Sequence, residues 1–574
     1  MASHTSINTS KQKGSKCDTR KTESSTDPKK SGITKIIKDS RRIREGCPEV
    51  YILNTVNTNL NPNGLIRRCS FGTKNPSIRN RTIMMLGATG SGKSTLINAM
   101  ITYILGVEWN DEYRFEIINE DIKKISQTSS QTTAITAYEI YHEQWFKVPY
   151  SITIIDTPGY GDTRGIEQDR LICENICELF KSPQGIHYID AVCFVVQAPL
   201  VRLTPTQRYI FDSILSIFGK DIEKNILTLV TFADGKPPAV LKAISESGVP
   251  HTKDKKDNPV HFKFNNSALY ATSSSDPQAS DDSDSDDFDQ MYWNMGQKGM
   301  CRFFQSLDKL ETKNLKLTQQ VLDERKQLQI CVEGLEPQIT AALNKQEELR
   351  QTQKVLEEHK GKMEENKDFE YEVNVVVKEK KDTEKYANNC KICEMTCHYP
   401  CESAPEWILY WCDSITKFNC TVCPKKCSWR NHYKHKYKYE NCTRKEKRTY
   451  YETKAKYEIA CSETGTAKNV LTKLQDELAE TETVLRNLID ESHRCAARLE
   501  EIALKPNPMS VIEYIDLLID REKQEHKEGF LERVQKLEKS KREAEMTKKI
   551  AKKEEIAPEE KEKGKGLLSK FFSK

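Results

Sequence analysis

Residues 82–95 read TIMMLGATGSGKST, a β-rich run followed by the glycine loop Gly87–Thr95 and then the apolar helical pattern LINAMI. The loop fits G-x-x-x-x-G-K-[ST], and strand, glycine loop, helix is the context that gives this motif meaning. Glycines at Gly87, Gly90 and Gly92 let backbone N–H groups of the loop, including those of Ser91 and Thr95, approach phosphate oxygens. The following helix adds its positive end. Lys93 is placed to reach the β- and γ-phosphates, and Ser94 to ligate magnesium. Phosphate and magnesium binding is therefore the first expectation.

Working outward, ITIIDTPG (152–159) supplies a buried strand ending in Asp156, with Gly159 at the D-x-x-G spacing. Asp156 would hold magnesium through water, and the Gly159 N–H would sense the γ-phosphate. Between these elements, SQTTAITAY carries Thr132 and Thr133, one of which is the candidate switch threonine closing on magnesium. TFAD follows a further strand. Asp234 can accept two hydrogen bonds from a guanine edge, and Thr231 and Phe232 stand where the fuller motif N-K-x-D has Asn and Lys. Asn265, Asn266, Ser267 and Ala268 are candidates to complete the base pocket. The position after D-x-x-G, a glutamine in many small signalling GTPases, is Tyr160, which lacks the paired donor and acceptor of a carboxamide. Slow hydrolysis, or help from Arg164, His187 or a second protomer, is the resulting expectation.

Short β-rich runs at Thr82–Leu86, Ile152–Asp156, Ala191–Val196, Ile226–Thr231 and Val260–Phe264 are separated by helix-length segments. That pattern predicts an α/β domain with a mostly parallel sheet and helices on both faces, spanning residues 82–304. Residues 1–47, rich in Ser, Thr and Lys, read as a disordered basic tail. Residues 48–81 read as a lead-in. Residues 273–289 (SSSDPQASDDSDSDDFD) read as an acidic surface insertion before a closing helix over 292–304.

Beyond that domain the periodicity changes. Val321, Leu328, Leu335, Ala342, Leu349 and Leu356 recur every seven residues, a coiled-coil signal with Gly334 and Pro337 expected to bend or interrupt it. A second helical stretch carries Leu471, Leu474, Leu478, Leu485, Leu488 and Leu499. Arms at 305–385 and 446–503 flanking a Cys-rich segment at 386–445 predict an antiparallel helical hairpin with that segment at its tip. A charged helix at 509–556 and a tail at 557–574 follow.

The tip holds the chain's second chemistry. Of 19 cysteines, nine fall between Cys390 and Cys442. Cys390, Cys393, Cys397, His398 and Cys401 form one run. Cys420, Cys423, Cys427, His432 and His435 form another, with Cys412 and Cys442 nearby. Two C-x2-C knuckles about 30 residues apart suit tetrahedral structural zinc, with enough ligands for two sites. Disulfides and unligated thiols are the competing readings. No apolar run approaches the ~20 residues of a spanning helix, and the N-terminus lacks the apolar core of a secretory signal. A reducing, cytoplasmic setting follows, and there the metal reading leads.

Charge sets further limits. With 89 basic and 85 acidic residues, net charge is +4. A dedicated nucleic-acid binder would show a clear positive excess, so nucleic acid is not the expected partner. The terminal GLLSKFFSK places four large apolar residues among lysines, which could meet an anionic membrane surface or dock within the chain.

GATGSGKS, SQTT, DTPGYGDTRG, QAPLVRLTPTQ, TFADG and NNSALY together resemble the immunity-associated, avrRpt2-induced-gene-type GTPases and their septin-like relatives, over about residues 82–305. The resemblance implies a septin-related GTPase fold and GTP- or GDP-dependent dimers or filaments. A role at membranes or in defence is implied as well. TFAD in place of N-K-x-D, and the Cys-rich hairpin, depart from the short members of that family.

Overall fold

The computed structural model describes residues 28–118, 134–161, 166–200, 205–246, 250, 260–271, 283–358, 370–402, 409–423, 425–449, 467–506, 510–525 and 530–552. Its centre is an eight-stranded sheet made of β1 (Val56–Asn59), β2 (Ile66–Phe71), β3 (Asn80–Gly87), β4 (Ile135–Ile140), β5 (Ser151–Asp156), β6 (Ala191–Gln197), β7 (Ile226–Thr231) and β8 (His261–Lys263). Strand order is β8-β7-β6-β3-β5-β4-β2-β1. The five strands from β8 to β5 run parallel. β4 is antiparallel to β5, β2 is parallel to β4, and β1 is antiparallel to β2. The sheet is thus mixed: the expected parallel half carries the glycine loop, and the other half comes largely from residues read as a lead-in.

Alternation along β3 sets the layers, because successive strand side chains point to opposite faces. Ile83 and Met85 join one core, and Met84 and Leu86 the other, all fully buried. The first core is closed by α1 (Pro28–Asp39), α2 (Lys93–Ile104) and α6 (Ser283–Lys309), which contribute Ile33, Leu96, Ile97 and Phe303. The second is closed by α3 (Ile166–Lys181) and α4 (Pro205–Ser216) through Ile172, Ile176, Ile210 and Ile214. The short α5 (Val240–Glu246) follows β7.

Two boundaries differ from the sequence reading. Residues Pro28–Asp39 are helical rather than tail, because Ile33 and Ile36, three apart, form one face buried on the core. α6 begins at Ser283, inside the acidic segment, since aspartates in a first turn meet the positive end of the helix.

The C-terminal part departs further. α7 (Lys316–Glu358) runs through Gly334 and Pro337 as one helix, without the expected interruption. It pairs antiparallel with α8 (Ala467–Ile502): Gly334 lies beside Leu488, and Gln320 meets Arg498. Between them, residues expected to be helical are instead a long antiparallel ribbon of β9 (Glu370–Cys390) and β10 (His432–Thr449). β-branched Val373, Val375, Val376 and Val377 favour extended backbone there. The charged segment after Pro508 forms two helices, α9 (Ser510–Glu525) and α10 (Phe530–Lys552), whose Ile515, Ile519 and Val534 bury against the α4 side of the core. Among the described residues, no helix is long and apolar enough to cross a membrane.

Candidate functional site: a phosphate loop and a thiol-rich unit

The glycine loop joins the end of β3 to α2. Gly92 occupies the left-handed region at φ 83°, and a Cβ there would lie 3.6 Å from both Thr231 and Phe232. The D-x-x-G turn lies directly against this loop. Thr89 N–H donates to the Tyr160 carbonyl at 3.1 Å, and Tyr160 N–H to the Gly87 carbonyl at 3.2 Å. A Cβ on Gly159 would sit 2.5 Å from Thr89, so only glycine permits this approach.

Lys93, though buried, turns its ammonium onto the carbonyls of Gly87 and Ala88, at 3.1 and 2.9 Å. Asp156, buried at the end of β5, and the half-buried Ser94 flank the same loop, and Thr95 is exposed. The hydroxyls of Thr89 and Ser91 are buried and accept or donate no hydrogen bond among the described residues. A glycine cradle, a lysine, a carboxylate and two such hydroxyls suit a magnesium-bound polyphosphate.

The base side is organised around β7. Thr231 donates its hydroxyl to the Ser91 carbonyl at 2.8 Å, so it anchors the phosphate loop rather than facing a base. Phe232 follows at φ 51° with 54% of its surface exposed, an unusual conformation for a bulky residue. Asp234 is exposed, and its carboxylate accepts the Lys236 N–H at 3.0 Å. Asn265 donates to the Ala233 carbonyl at 3.1 Å and accepts from Ser267, which locks the turn Asn266–Tyr270 beside the TFAD loop.

Three residues here escaped the sequence reading. Gln197, at the end of β6, donates to the Gly90 carbonyl at 2.9 Å. Asp169, buried on α3, accepts the Gly161 N–H at 3.1 Å and fixes the turn after D-x-x-G. Phe232 was noted only as a departure from N-K-x-D, although an exposed aromatic next to a base-reading aspartate is itself a signal.

Tyr160 is fully buried, with its hydroxyl 3.5 Å from the Cys173 sulfur, and burial pushes its phenol well up. It cannot orient a water at the phosphates. Thr132, Thr133 and Arg164 lie outside the described residues. His187 is set aside as a catalytic candidate. It is exposed and paired with the Pro183 carbonyl, just before the start of β6, whereas the glycine loop lies at the opposite, C-terminal ends of the parallel strands.

The thiol-rich unit sits where β9 gives way to the loop before β10. It packs on the first half of α7 rather than at the far end of two helical arms. Ile330 shares its core, Gly334 faces Val422, and Lys326 pairs with Asp413 at 2.7 Å. Its ligand atoms gather into three groups, each within 4.8 Å: Cys390, Cys393, Cys423 and Cys427; Cys397, Cys420, Cys423 and His432; and His398, Cys401 and Cys412. His435 belongs to none of them. Its ring packs on Tyr437 at 4.5 Å, because the pleat of β10 turns it to a different face from the ligands.

Within each close thiol pair one member is held below its ordinary range by hydrogen bonding from the other, which is itself pushed up: Cys412 beside Cys401, Cys420 beside Cys397 and Cys423 beside Cys390. Backbone N–H groups point at sulfur, from Cys393 to Cys390 and from Cys423 to Cys420, both at 3.4 Å. Cys393 and Cys427 stand 3.7 Å apart, against about 3.8 Å for the edge of a zinc–thiolate tetrahedron built on ~2.3 Å bonds.

Comparison with known proteins agrees with the nucleotide side. Residues 79–181 match the family model described as Septin. Among solved structures, Toc33 from Arabidopsis thaliana in complex with GDP and Mg2+ is similar at 18% identity and a TM-score of 0.23, over 39% of this chain and 85% of that one. The same protein with Mg2+ and GMPPNP is similar at 14% identity and a TM-score of 0.22, over 39% and 86%. A structure titled for the importance of dimerization to the GTPase activity of the chloroplast translocon components atToc33 and psToc159 is similar at 18% identity and 0.23, over 33% and 71%. No curated protein matches the chain. The Septin match falls on the glycine loop and the D-x-x-G turn, and so agrees with the α/β unit as a P-loop nucleotide-binding domain of septin-like type over that stretch.

Proposed function

We propose that this protein is a slow GTPase whose nucleotide state controls pairing of its GTPase domains. The thiol-rich unit, held together by zinc, serves as a structural clamp on the helical extension, packing on the first half of α7. The observation that carries the reading is the close apposition of Gly159 to Thr89 on the phosphate loop, which supports Gly159 as the γ-phosphate sensor. Lys93 would bind the β- and γ-phosphates, Ser94 and Asp156 would hold Mg2+, and Asp234 would read guanine. Bound magnesium neutralises phosphate charge and orients the terminal phosphate. Tyr160, buried where a water-orienting side chain would be wanted, favours slow turnover and catalytic help from Arg164 or a second protomer. A role at membranes or in immune defence is part of the same proposal, carried by the sequence resemblance, and a cytoplasmic location is carried by the cysteine usage.

Multiple-turnover phosphate release from GTP, run across protein concentration beside a Lys93→Ala control, tests this. Specific activity should be low, rise with concentration, and vanish in the control. Nucleotide that binds tightly, turns over no faster than in Lys93→Ala and yet holds an oligomer together would favour the alternative reading, a scaffold in which nucleotide only stabilises assembly. Buried Tyr160 is what keeps that second reading in play.

A further inference from the structure

The first two ligand groups are not independent, because Cys423 belongs to both. We infer that Cys423 is a bridging thiolate joining two zinc ions in one dinuclear centre, and that His398, Cys401 and Cys412 form a separate third zinc site. The inference rests on the zinc reading above and extends it to number and connectivity.

Burial argues for the bridge. Each ion needs four ligands in a structural site. If Cys423 served only Cys390, Cys393 and Cys427, the second ion would keep Cys397, Cys420 and His432 and would need water. Cys397, Cys420, Cys423 and His432 are all 5% exposed or less, so that side of the centre is closed to solvent. A shared sulfur fills both tetrahedra from seven side chains, six of them thiols.

His432 supplies an independent pointer. Its Nδ1 lies 3.0 Å from the Ser428 carbonyl, which can only accept, so the proton sits on Nδ1 and Nε2 presents a lone pair. That Nε2 is buried and makes no hydrogen bond among the described residues, and it is one of the ligand atoms gathered with Cys397, Cys420 and Cys423. A buried imidazole lone pair is costly unless something accepts it, and a metal ion does.

The sulfurs also receive the contacts that thiolates require. Cys420 accepts N–H groups from Val422 and Cys423 at 3.4 Å, and Cys423 accepts one from Cys427 at 3.3 Å. Binding two zinc ions releases six thiol protons to solvent and leaves a net charge of −2, with His432 neutral. Lys378 brings positive charge to the rim by donating to the Cys393 carbonyl at 2.7 Å.

The third group stands on its own residues and supplies three ligands; the His398 side chain is 12% exposed, so on this side, unlike around Cys423, water can complete the tetrahedron. His398 Nδ1 lies 3.3 Å from the Cys412 sulfur and its Nε2 faces Asp413 at 4.0 Å, the carboxylate–histidine arrangement that orients metal-bound imidazole. Cys401 and Cys412 are 3.5 Å apart.

Zinc-edge anomalous scattering from crystals of the full chain tests the assignment. Three peaks are expected, two of them within about 4.6 Å, the reach of two ~2.3 Å Zn–S bonds meeting at one sulfur. A single ion among the seven ligands, or a pair farther apart than that, overturns the bridge while leaving zinc binding intact. A chain without zinc, measured by elemental analysis before crystallisation, overturns the zinc reading itself. Native mass spectrometry adds a second reading. Cys423→Ser should lose two ions and keep the third, and loss of only one would overturn the bridge. The wild-type map decides the matter even if this variant does not fold.

Discussion

Thr231 donates its hydroxyl to the Ser91 carbonyl at 2.8 Å, and through this bond the base-reading end of β7 holds the phosphate loop in place. The same hydroxyl lies 3.1 Å from the Val196 carbonyl. Thr231→Val keeps the shape and removes the donor. At about 1 kcal/mol for the one hydrogen bond that the hydroxyl proton can make, GTP affinity should fall roughly fivefold, read by titration with a fluorescent GTP analogue. Unchanged affinity would mean that the loop is set by its own backbone alone.

Phe232 and Asp234 should separate by base. A ring held at positive φ beside the loop offers a stacking face to any purine, worth about 1–3 kcal/mol on truncation. Phe232→Ala should therefore weaken GTP and ITP alike. In the proposed function Asp234 would read the guanine edge, including the exocyclic amine that inosine lacks. Asp234→Ala should cost GTP more than ITP. Equal losses in Asp234→Ala would remove it from base selection.

How far the sequence led differs between the two halves of the chain. Around Gly87–Thr95 and Asp156–Gly159, local motif and fold demand the same residues, so strands and loop are readable. Asp169 and Gln197 were not, because each acts on a backbone group distant in sequence, and no spacing rule marks such a partner. In the C-terminal half, Leu335, Leu349 and Leu356 set a seven-residue rhythm that was extended too far. The run of Val373, Val375 and Val377 then changes the period to two, and that change was the available signal for the ribbon. That both cysteine runs gather into groups that could hold a metal was legible. Their mixing between knuckles was not, since β9 and β10 bring Cys390 beside His432 only through long-range pairing.

Arg81 and Asp190 form a buried pair at 2.5 Å beneath the sheet, with Arg81 0% exposed and also donating to the Leu310 carbonyl at 2.8 Å. Thus the pair ties β3 to the segment that follows α6. Arg81→Met would strand the Asp190 carboxylate, and such losses cost about 3–5 kcal/mol. Chemical denaturation with and without GTP should show that loss in both conditions, since the pair lies away from the nucleotide loop. A loss confined to the GTP-bound form would contradict this placement.

The last expectation concerns the clamp between the thiol-rich unit and α7. Two contacts could carry it: the Lys326–Asp413 ion pair, and the packing of Ile330 and Gly334 on a unit that metal holds in shape. Lys326 is 44% exposed, so its pair contributes only about 0–1 kcal/mol. A short, polar, thiol-rich segment that binds zinc, by contrast, would owe most of its fold to the ions. Lys326→Ala should therefore barely change hydrogen exchange over 326–334. Stripping zinc with a chelator should raise exchange sharply there and across 390–432, while α2 keeps its protection. If the chelator left 326–334 protected, α7 would be held by α8 alone, and the thiol-rich unit would be a passenger on the helix rather than a clamp.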